Sequence, residues 1–342
     1  MAMESQARPS ADGPRVTIAD VAAHAGVSPT TVSHVLSGKR LVGAATRDRV
    51  ERAVRELGYR PNIVARNLRT RRSQVIAVIV PDITNPFYAV VTRGLADAVD
   101  AAGYATYVCN TDAKFDREQK FLEDVLDRGV DGVVLASVDV SQEHLDEPNR
   151  YGTPLVCLGD SHDLPGVDRV VPDDEDGSRI ATAHLVARGA SRIAMITGPP
   201  GAAAARVRGY RQALETAGRT FDPGLVHEGG WTRQGGREAM KALMSSAPHP
   251  DAVFCANDLM AIGAMDTVRE LGLTVPDDVA VVGFDDVEAA TLVTPTLTTV
   301  TNPAYDAGRY AGKLLVERMS GGYAEGRRTV VLPCRLVPRQ SA

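Results

Sequence analysis

The stretch VTIADVAAHAGVSPTTVSHVLSG (residues 16–38) predicts two short helices joined by a tight turn. Thr17 can cap the first helix, and Gly26 can adopt the positive φ that a sharp turn between two helices needs. Ser28 is a good N-cap for the second helix, and Pro29 falls at its first position, where a missing N–H costs nothing. This order of residues is typical of a helix-turn-helix unit.

The second of these helices has two distinct faces. Val32, Val35 and Leu36 have the i, i+3, i+4 spacing of a stripe that faces a core. The side chains left on the outer face are placed to read base edges in a major groove. They are Pro29, Thr30, Ser33 and His34.

The charge of the chain is unevenly distributed. Residues 15–72 hold twelve Lys or Arg against four Asp or Glu, a balance of +8 in a chain whose total is −5. Within them, residues 47–57 have the apolar spacing of a third helix, and Gly58 can end it. Residues 73–342 carry −12. A basic module attached to an acidic body indicates that one end of the chain binds nucleic acid.

A short basic segment follows the third helix. Pro61 stops that helix, Asn62 can cap a new one, and Ala65 and Leu68 would share one face of it. Because a helix this short is not stable alone in water, it needs a partner to fold against. Residues 61–72 are therefore either a basic linker or a helix that forms on a dimer mate or on DNA.

The composition is that of a soluble globular protein, with 44% hydrophobic and 24% charged residues. No apolar run approaches the roughly 20 residues that span a bilayer, and residues 1–14 lack the apolar core of a secretory signal. We therefore expect a disordered tail over residues 1–14 and a cytosolic location. The four cysteines lie far apart and form no CxxC pair, so we expect reduced, buried thiols.

The body alternates continuous apolar runs with helical patterns, which predicts an α/β fold with parallel sheets. Two successive sets of runs indicate two lobes, and a helix (305–319) followed by VVLPCRL should return to both. We predict a first lobe of residues 73–172 plus 303–330 and a second lobe of residues 173–302 plus 331–342. The predicted strands are VIAVIV (75–80), ATYVC (105–109), GVVLA (132–136), PLVCL (154–158), RIAMI (192–196), AVFC (252–255), VAVVGF (279–284) and LTTV (297–300).

Polar side chains follow several of these strands at the carboxyl end, where open α/β sheets bind ligands. They are Asp160, Arg206, Asn257 and Asp285, and the only tryptophan, Trp231, lies in a Gly-rich turn. Carboxylates, an amide, a guanidinium and an indole together suit a polyhydroxylated or otherwise polar small molecule. The alternatives are that Asn257 and Asp285 only cap a helix or a turn, and that Trp231 is an ordinary packed aromatic residue.

The segments VTIADVAAHAGVSPTTVSHVL and TRDRVERAVRELGYRPNIVARNL resemble the lactose-repressor (LacI/GalR) family of bacterial transcription regulators. The resemblance continues through VIVPDITNPFY, RVRGYRQAL, FCANDLMAIGAM and VAVVGFDD. It implies a helix-turn-helix DNA-binding domain over residues 15–60 and a hinge helix and linker over residues 61–72. Residues 73–342 would then form an effector-binding and dimerisation domain similar to periplasmic sugar-binding proteins.

Residue roles follow from the same resemblance. In the hinge, Leu68 would enter the minor groove as an apolar wedge and kink the duplex. The effector-binding residues would be Phe87, Asp160, Arg206, Trp231, Asn257 and Asp285. The DNA-binding residues would be Thr17, Ser28, Pro29, Thr30, Thr31, Ser33, His34, Arg40, Asn62, Ala65, Arg66 and Leu68.

The chain departs from the family pattern at three places. His34 stands where many members carry Arg, and Gly43 stands where a Ser or similar cap often precedes the third helix. The stretch PPGAAAARV is rich in Ala where polar residues often stand. These departures bear on which bases are read, on how the third helix starts and on which ligand the body accepts.

We expect a homodimeric repressor that leaves a pseudo-palindromic operator when a small sugar-like effector binds between the lobes. The main alternative is a corepressor-dependent repressor, or an activator, that responds to a nucleobase or another polar metabolite. A periplasmic binding protein is disfavoured by the basic module. The sequence contains no HExxH, GxSxG or Walker motif, so we expect neither an enzyme nor a bound cofactor or metal.

Overall fold

The computed structural model describes residues 16–38, 40–60, 67, 72–136, 148, 151–159, 166–321 and 326–342. The chain divides into two compact units, Met1–Arg72 and Ser73–Ala342. The tail predicted over residues 1–14 and most of the segment 61–72 lie outside the described residues. The same holds for five residues of the predicted sites, Asn62, Ala65, Arg66, Leu68 and Asp160.

The helices α1 (Ile18–Ala25), α2 (Pro29–Ser37) and α3 (Ala44–Leu57) belong to the first unit. They pack around a small core in which Val21, Val32 and Val50 are fully buried. Gly26 ends α1 with a φ of 64°, the left-handed conformation that the sequence predicts for this turn. The helix-turn-helix prediction is confirmed.

Two details of this unit differ from the sequence prediction. Helix α3 begins at Ala44 rather than at Arg47, because the alanines that open it are strong helix formers. Its N-cap, Gly43, has no side chain to bond the first turn. Leu36, predicted to face the core, is 39% exposed, since the short helix α2 buries only a narrow stripe in which Val35 lies closer to the core.

The first lobe of the second unit is a six-stranded parallel sheet. Its strands are β1 (Val75–Val80), β2 (Ala105–Asn110), β3 (Gly132–Leu135), β4 (Leu155–Leu158), β5 (Asp168–Pro172) and β11 (Thr329–Leu332). They lie in the order β11-β5-β4-β3-β1-β2. Apolar clusters cover both faces of the sheet, as expected for strands that are apolar throughout. Its helices are α4 (Pro86–Asp100), α5 (Phe115–Asp127) and α11 (Ala304–Met319).

The second lobe is a four-stranded parallel sheet. Its strands are β6 (Ile193–Thr197), β7 (Val226–Glu228), β8 (Ala252–Cys255) and β9 (Ala280–Val282), and they lie in the order β7-β6-β8-β9. Its helices are α6 (Asp174–Ala187), α7 (Ala204–Thr216), α8 (Arg233–Ser245), α9 (Asp258–Glu270) and α10 (Ala289–Leu292). Strands β10 (Thr299–Thr301) and β12 (Arg335–Val337) form an antiparallel pair.

The predicted fold class, α/β with parallel sheets, is confirmed, and each of the eight predicted strands is present with its ends shifted by at most two residues. Strands β5 and β7 are additions that the sequence analysis did not predict. The run VVLPCRL is two strands, because Pro333 has no N–H to continue a ladder. The chain therefore leaves the first lobe after Leu332, two residues beyond the predicted lobe boundary at residue 330.

The cysteines lie where the sequence analysis expects small apolar residues. Cys157, Cys255 and Cys334 are buried and Cys109 is half-buried, and all four are free thiols. Burial raises the pKa of the Cys157 thiol to about 12, so this thiol stays protonated at neutral pH.

Candidate ligand site and nucleic-acid interface

Thr17 and Asp20 form a complete capping box at the start of α1. The Thr17 N–H donates to Asp20 Oδ2 at 2.8 Å, and the Asp20 N–H donates to Thr17 Oγ1 at 3.4 Å. The backbone hydrogen bond from Thr17, with that of its hydroxyl, lowers the pKa of the Asp20 carboxyl. Thr17, predicted as a DNA contact, therefore already fixes the entry to the helix-turn-helix.

Ser28 caps α2 in the same manner. Its Oγ accepts the Thr31 N–H at 3.1 Å, and the two hydroxyl oxygens lie 2.9 Å apart. Beyond the cap, Pro29 and Thr30 are exposed, as the prediction of an outward reading face requires.

The other predicted reading residues are less open. Ser33 and His34 are half-buried, and Arg40 is exposed in the loop that follows α2. The rear of the unit is held by His24 of α1, whose Nε2 lies 2.8 Å from Glu56 Oε2 of α3. The exposed start of α2 therefore belongs to a three-helix unit in which the His24–Glu56 contact joins α1 to α3.

A cavity of about 480 Å³ lies in the second unit, where side chains from both lobes meet. Its first-lobe wall includes Phe87 and Tyr88 at the start of α4, after the carboxyl end of β1. Its second-lobe wall includes Arg206, Trp231, Asn257 and Asp285. The five described residues of the predicted effector site therefore all line one cavity.

Arg206, near the start of α7, is the central cation of this cavity. Its side chain is 8% exposed, and its Nη2 lies 3.1 Å from Asp174 Oδ1 and 3.8 Å from Asp285 Oδ1. Its Nη1 donates to the Ala256 carbonyl oxygen. Its guanidinium carbon lies 4.0 Å from the centroid of the Phe284 ring, a stacked arrangement that holds the charged plane in one orientation.

Trp231 is fixed by contacts on its backbone and on its ring. Its φ is 64°, and its carbonyl oxygen accepts a hydrogen bond of 3.0 Å from Asn257 Nδ2. A Cβ on Gly198 would lie 2.1 Å from the indole, so only glycine fits beneath the ring. The indole also lies 5.4 Å from the Arg206 guanidinium. A rigid aromatic wall beside a fixed cation results.

Asn257 serves two neighbours at once. Its Oδ1 accepts the Met260 N–H at 2.9 Å as the N-cap of α9, and its Nδ2 holds Trp231. The capping role considered in the sequence analysis is therefore real, but it uses only one end of the amide.

Asp285 lies at the floor of the cavity with a φ of 105°. Its Oδ1 accepts a hydrogen bond of 3.0 Å from Asn302 Nδ2. Burial raises the pKa of Asp285 to about 6, against the opposing effects of Arg206 and the Asn302 hydrogen bond. Burial, and next the charge of Asp285, also raises the pKa of the Tyr88 hydroxyl, so that hydroxyl remains a hydrogen-bond donor.

Asp174, Asn302 and the stretch Ala202–Ala205 also bear on the cavity, and the sequence analysis assigned none of them a contact. Asp174 follows β5, a strand that the sequence analysis missed, and Asn302 follows β10. The carboxyl-end rule would have found Asp174 had β5 been predicted, and it could have been applied to Asn302, which follows the predicted strand 297–300. Ala202, Ala204 and Ala205 line the wall and give it an apolar patch in place of hydrogen-bonding groups.

A second cavity, of about 650 Å³, is a groove on the outside of the second lobe. Helices α9 and α10 form it, with Leu259, Ile262, Ala289, Leu292 and Val293 among its lining. Leu292 is 75% exposed. An apolar groove with so exposed a leucine is typical of a protein interface.

No helix in the described ranges is both long enough and apolar enough to cross a membrane. Across the same part of the chain, no three His, Cys, Asp or Glu side chains come together in a way that could hold a metal ion.

Two family models match the chain. Residues 17–62 match "Bacterial regulatory proteins, lacI family", and residues 182–342 match "Periplasmic binding protein-like domain". The Ribose operon repressor of Escherichia coli (strain K12) is 36% identical over 329 residues, which cover 95% of this chain and 99% of that repressor. The HTH-type transcriptional repressor PurR of Aliivibrio salmonicida is 33% identical over 328 residues, which cover 95% of this chain and 98% of that repressor.

Solved structures give the same result. The lac repressor dimer bound to operator and the anti-inducer ONPF is similar with a TM-score of 0.84 and 29% identity, over 96% of this chain and 99% of that one. The complex of the transcriptional regulator CelR with cellobiose is similar with a TM-score of 0.74 and 36% identity, over 96% and 100%.

A helix-turn-helix unit joined to a two-lobed, cleft-bearing domain defines a DNA-binding regulator that responds to a small molecule. The chain belongs to the LacI family of bacterial regulatory proteins.

Proposed function

We propose that this protein is a homodimeric, sequence-specific repressor whose affinity for its operator is set by a small polar molecule bound in the cleft. The observation that carries the proposal is the convergence of Arg206, Asp285, Asn257 and Trp231 on one cavity between the lobes. Such a cavity offers fixed hydrogen-bonding groups beside an aromatic wall, the arrangement that suits a sugar.

DNA binding is assigned to the exposed start of α2. Pro29 and Thr30 would contact base edges, with His34 and Arg40 beside them, and Ser28 and Thr17 would hold the reading helix in place. Thr31 and Ser33 complete the described part of the predicted set. The twelve basic residues between 15 and 72 would contact phosphates and make binding depend strongly on salt.

Dimerisation is assigned to the apolar groove of α9 and α10. One helix-turn-helix unit buries little surface on DNA, and two of them on a pseudo-palindromic site roughly double the contacts. A face centred on Ile262 and Leu292 would pair with its own copy about a two-fold axis. The lac repressor structure, described as a dimer bound to operator, supports a dimer on DNA.

A sugar is the effector class that we favour. Solved members with cellobiose and with ribose bound supply a precedent in related structures. The relatives named above are transcription regulators, and we assign no enzymatic activity to this chain.

A second candidate is a repressor that binds DNA only with a planar corepressor such as a nucleobase. The observation that favours it is the apolar lining formed by Trp231, Phe87 and the alanines Ala202, Ala204 and Ala205, on which a flat ring could stack. The two candidates predict opposite effects of the ligand on DNA affinity: an inducing sugar weakens DNA binding, whereas a corepressor strengthens it.

The test is selection of duplexes from a random library by the full chain, followed by titration of the selected duplex. A panel of ribose, glucose, cellobiose and guanine is then added. We expect an enriched pseudo-palindrome and at least one panel compound that changes its affinity. Failure to enrich any sequence would contradict the proposal.

A further inference from the structure

The charges that line the cleft are unbalanced. Among the described residues, four carboxylates line it, those of Asp82, Asp112, Asp174 and Asp285, against two guanidiniums, those of Arg206 and Arg208. Asp112 is paired with Arg117 outside the lining. The cleft as a whole therefore carries a negative potential, which repels anions.

Both guanidiniums are already committed to protein acceptors. Arg206 contacts Asp174, Asp285 and the Ala256 carbonyl oxygen, and its side chain is 8% exposed. Arg208 Nε donates to Glu175 Oε2 at 2.7 Å. An anionic ligand would therefore meet a guanidinium whose positive charge two buried carboxylates, Asp174 and Asp285, already balance.

Two buried polar atoms at the cleft have no partner among the described residues. They are the Nε of Arg206, a donor, and the Oδ1 of Asn302, an acceptor. Their residues are 7% and 6% exposed and both line the cavity. A buried polar group without a partner is costly, so a ligand that satisfies both gains affinity. Hydroxyl groups, which donate and accept, match both atoms, whereas the phosphate group of an ester dianion has no hydrogen to donate to Asn302.

We propose that the cleft selects an uncharged, hydroxyl-bearing molecule and rejects its phosphate ester, and that Asp174 and Asp285 are the residues that enforce this choice. The proposal rests on the assignment of this cleft as the effector site. It adds the charge class of the effector. The carboxylates act by neutralising Arg206 in advance, so that the guanidinium offers hydrogen bonds but no net charge to the ligand.

Titration of the floor carboxylate supports this reading. Burial raises the pKa of Asp285 to about 6, so this carboxyl is largely ionised above pH 7. Its negative charge then repels anions. Arg206, Asp174 and Tyr88 share the cavity wall with it, and Asp258, which is buried behind it, contributes a further carboxylate.

The test uses inorganic phosphate as a probe and Trp231, the only tryptophan, as the reporter. Phosphate is titrated against the full chain at pH 7.5 and constant ionic strength, with chloride as the exchanged anion. We expect no saturable change of Trp231 emission in the natural sequence. Asp285→Asn or Asp174→Asn should release the Arg206 charge and tighten phosphate binding by about tenfold or more. Adding Arg206→Gln should abolish that gain.

Asp277→Asn is the matched control, because Asp277 is exposed and does not line the cleft. It removes the same charge from the same lobe and should leave the phosphate response as it is. Circular dichroism establishes that each variant is folded. If Asp285→Asn does not fold, Asp174→Asn is the variant in which phosphate binding is measured.

A second experiment compares sugars with their phosphate esters. Ribose is compared with ribose 5-phosphate, and glucose with glucose 6-phosphate, by the same emission. A phosphate ester that binds as tightly as its parent sugar would overturn the proposal. So would a saturable, Arg206-dependent response of the natural sequence to inorganic phosphate, or folded carboxylate variants that gain no response. Failure of the chain to select DNA would overturn the proposed function and leave these anion results unaffected.

Discussion

Arg206 Nη2 and Asp285 Oδ1 lie 3.8 Å apart at the floor of the cleft, both almost fully buried. The same Asp285 oxygen accepts a hydrogen bond from Asn302, two residues before the first-lobe helix α11 begins. The pair therefore lies at a point where the chain crosses between the lobes. A ligand that hydrogen-bonds to this pair therefore contacts a segment that connects the two lobes.

Removal of the Arg206 side chain should separate ligand response from DNA binding. Arg206→Ala leaves Asp174 and Asp285 buried without their cation, and the free energy of unfolding should fall by about 3 kcal/mol. Below its melting temperature, the variant should bind the selected duplex normally and ignore the panel compounds. The measurements are urea unfolding and fluorescence anisotropy with labelled duplex.

Arg179→Ala is the control for the loss of an ion-paired arginine in the same lobe. Its partner is Asp176 on the same helix, and both side chains are about two-fifths exposed. An exposed pair contributes at most about 1 kcal/mol, so stability and response should both persist. A normal dose response in Arg206→Ala would show that the cleft is misassigned.

The stability of the second unit should depend on pH through Asp285. Its pKa is about 6 in the folded chain and lies near the ordinary value of 3.8 when unfolded. Because the folded value is the higher one, the unfolded chain loses its proton first as pH rises. The Asp285 contribution is fully present below about pH 4, declines between about pH 4 and 6, and stays constant above.

Asp285→Asn cannot ionise and should remove that decline. The difference in unfolding free energy between natural sequence and variant should change by on the order of 1–3 kcal/mol between pH 4 and pH 7. Taking the difference cancels the carboxylates that do not interact with Asp285, whereas the titration of the buried Asp258, whose pKa the Asp285 charge raises, stays coupled to it. A pH-independent difference would show that burial does not disfavour the Asp285 charge.

A methyl group on Gly198 should displace the tryptophan. The added Cβ would lie 2.1 Å from the Trp231 ring, so Gly198→Ala forces the indole out of its position at a cost of about 1–3 kcal/mol. We expect a shifted Trp231 emission maximum and a weaker response to the panel compounds. Gly43→Ala is the control, because no atom lies within 4 Å of its added methyl. An unchanged spectrum in Gly198→Ala would contradict the packing described.

A charge in the outer groove should weaken the dimer. Leu292→Asp places a carboxylate on an apolar face that we assign to the two-fold interface, and should cost about 2 kcal/mol or more of association free energy. Sedimentation over a concentration series measures this. Leu271→Asp is the control, since Leu271 is 52% exposed and lies outside the groove lining. Equal weakening by both variants would place the interface elsewhere.

Local patterns predicted most of the fold. The caps Thr17 and Ser28, the turn at Gly26 and the continuous apolar strands depend on near neighbours, and each is found where the sequence predicts it. Strand β5 was missed because it opens with a charged residue. Asp168 is nevertheless fully buried, because Arg318 and Arg328 bind it from 150 and 160 positions away.

The residues that line the cleft could be predicted to a similar extent. Residues at the ends of recognised strands, such as Asn257 and Asp285, could be named from sequence. Asp174 could not, because its strand was not recognised. The commitment of Arg206 to Asp174 and Asp285, which fixes the charge that a ligand meets, depends on contacts between distant segments that no local pattern encodes.

We propose that a molecule bound in the cleft controls the affinity of the helix-turn-helix unit for DNA. The most direct measurement is the Kd of the full chain for its selected duplex, at fixed salt, with and without a panel compound shown by Trp231 emission to bind. We predict that the two Kd values differ by about fivefold or more. Equal Kd values at saturating concentrations of a compound that occupies the cleft would contradict it.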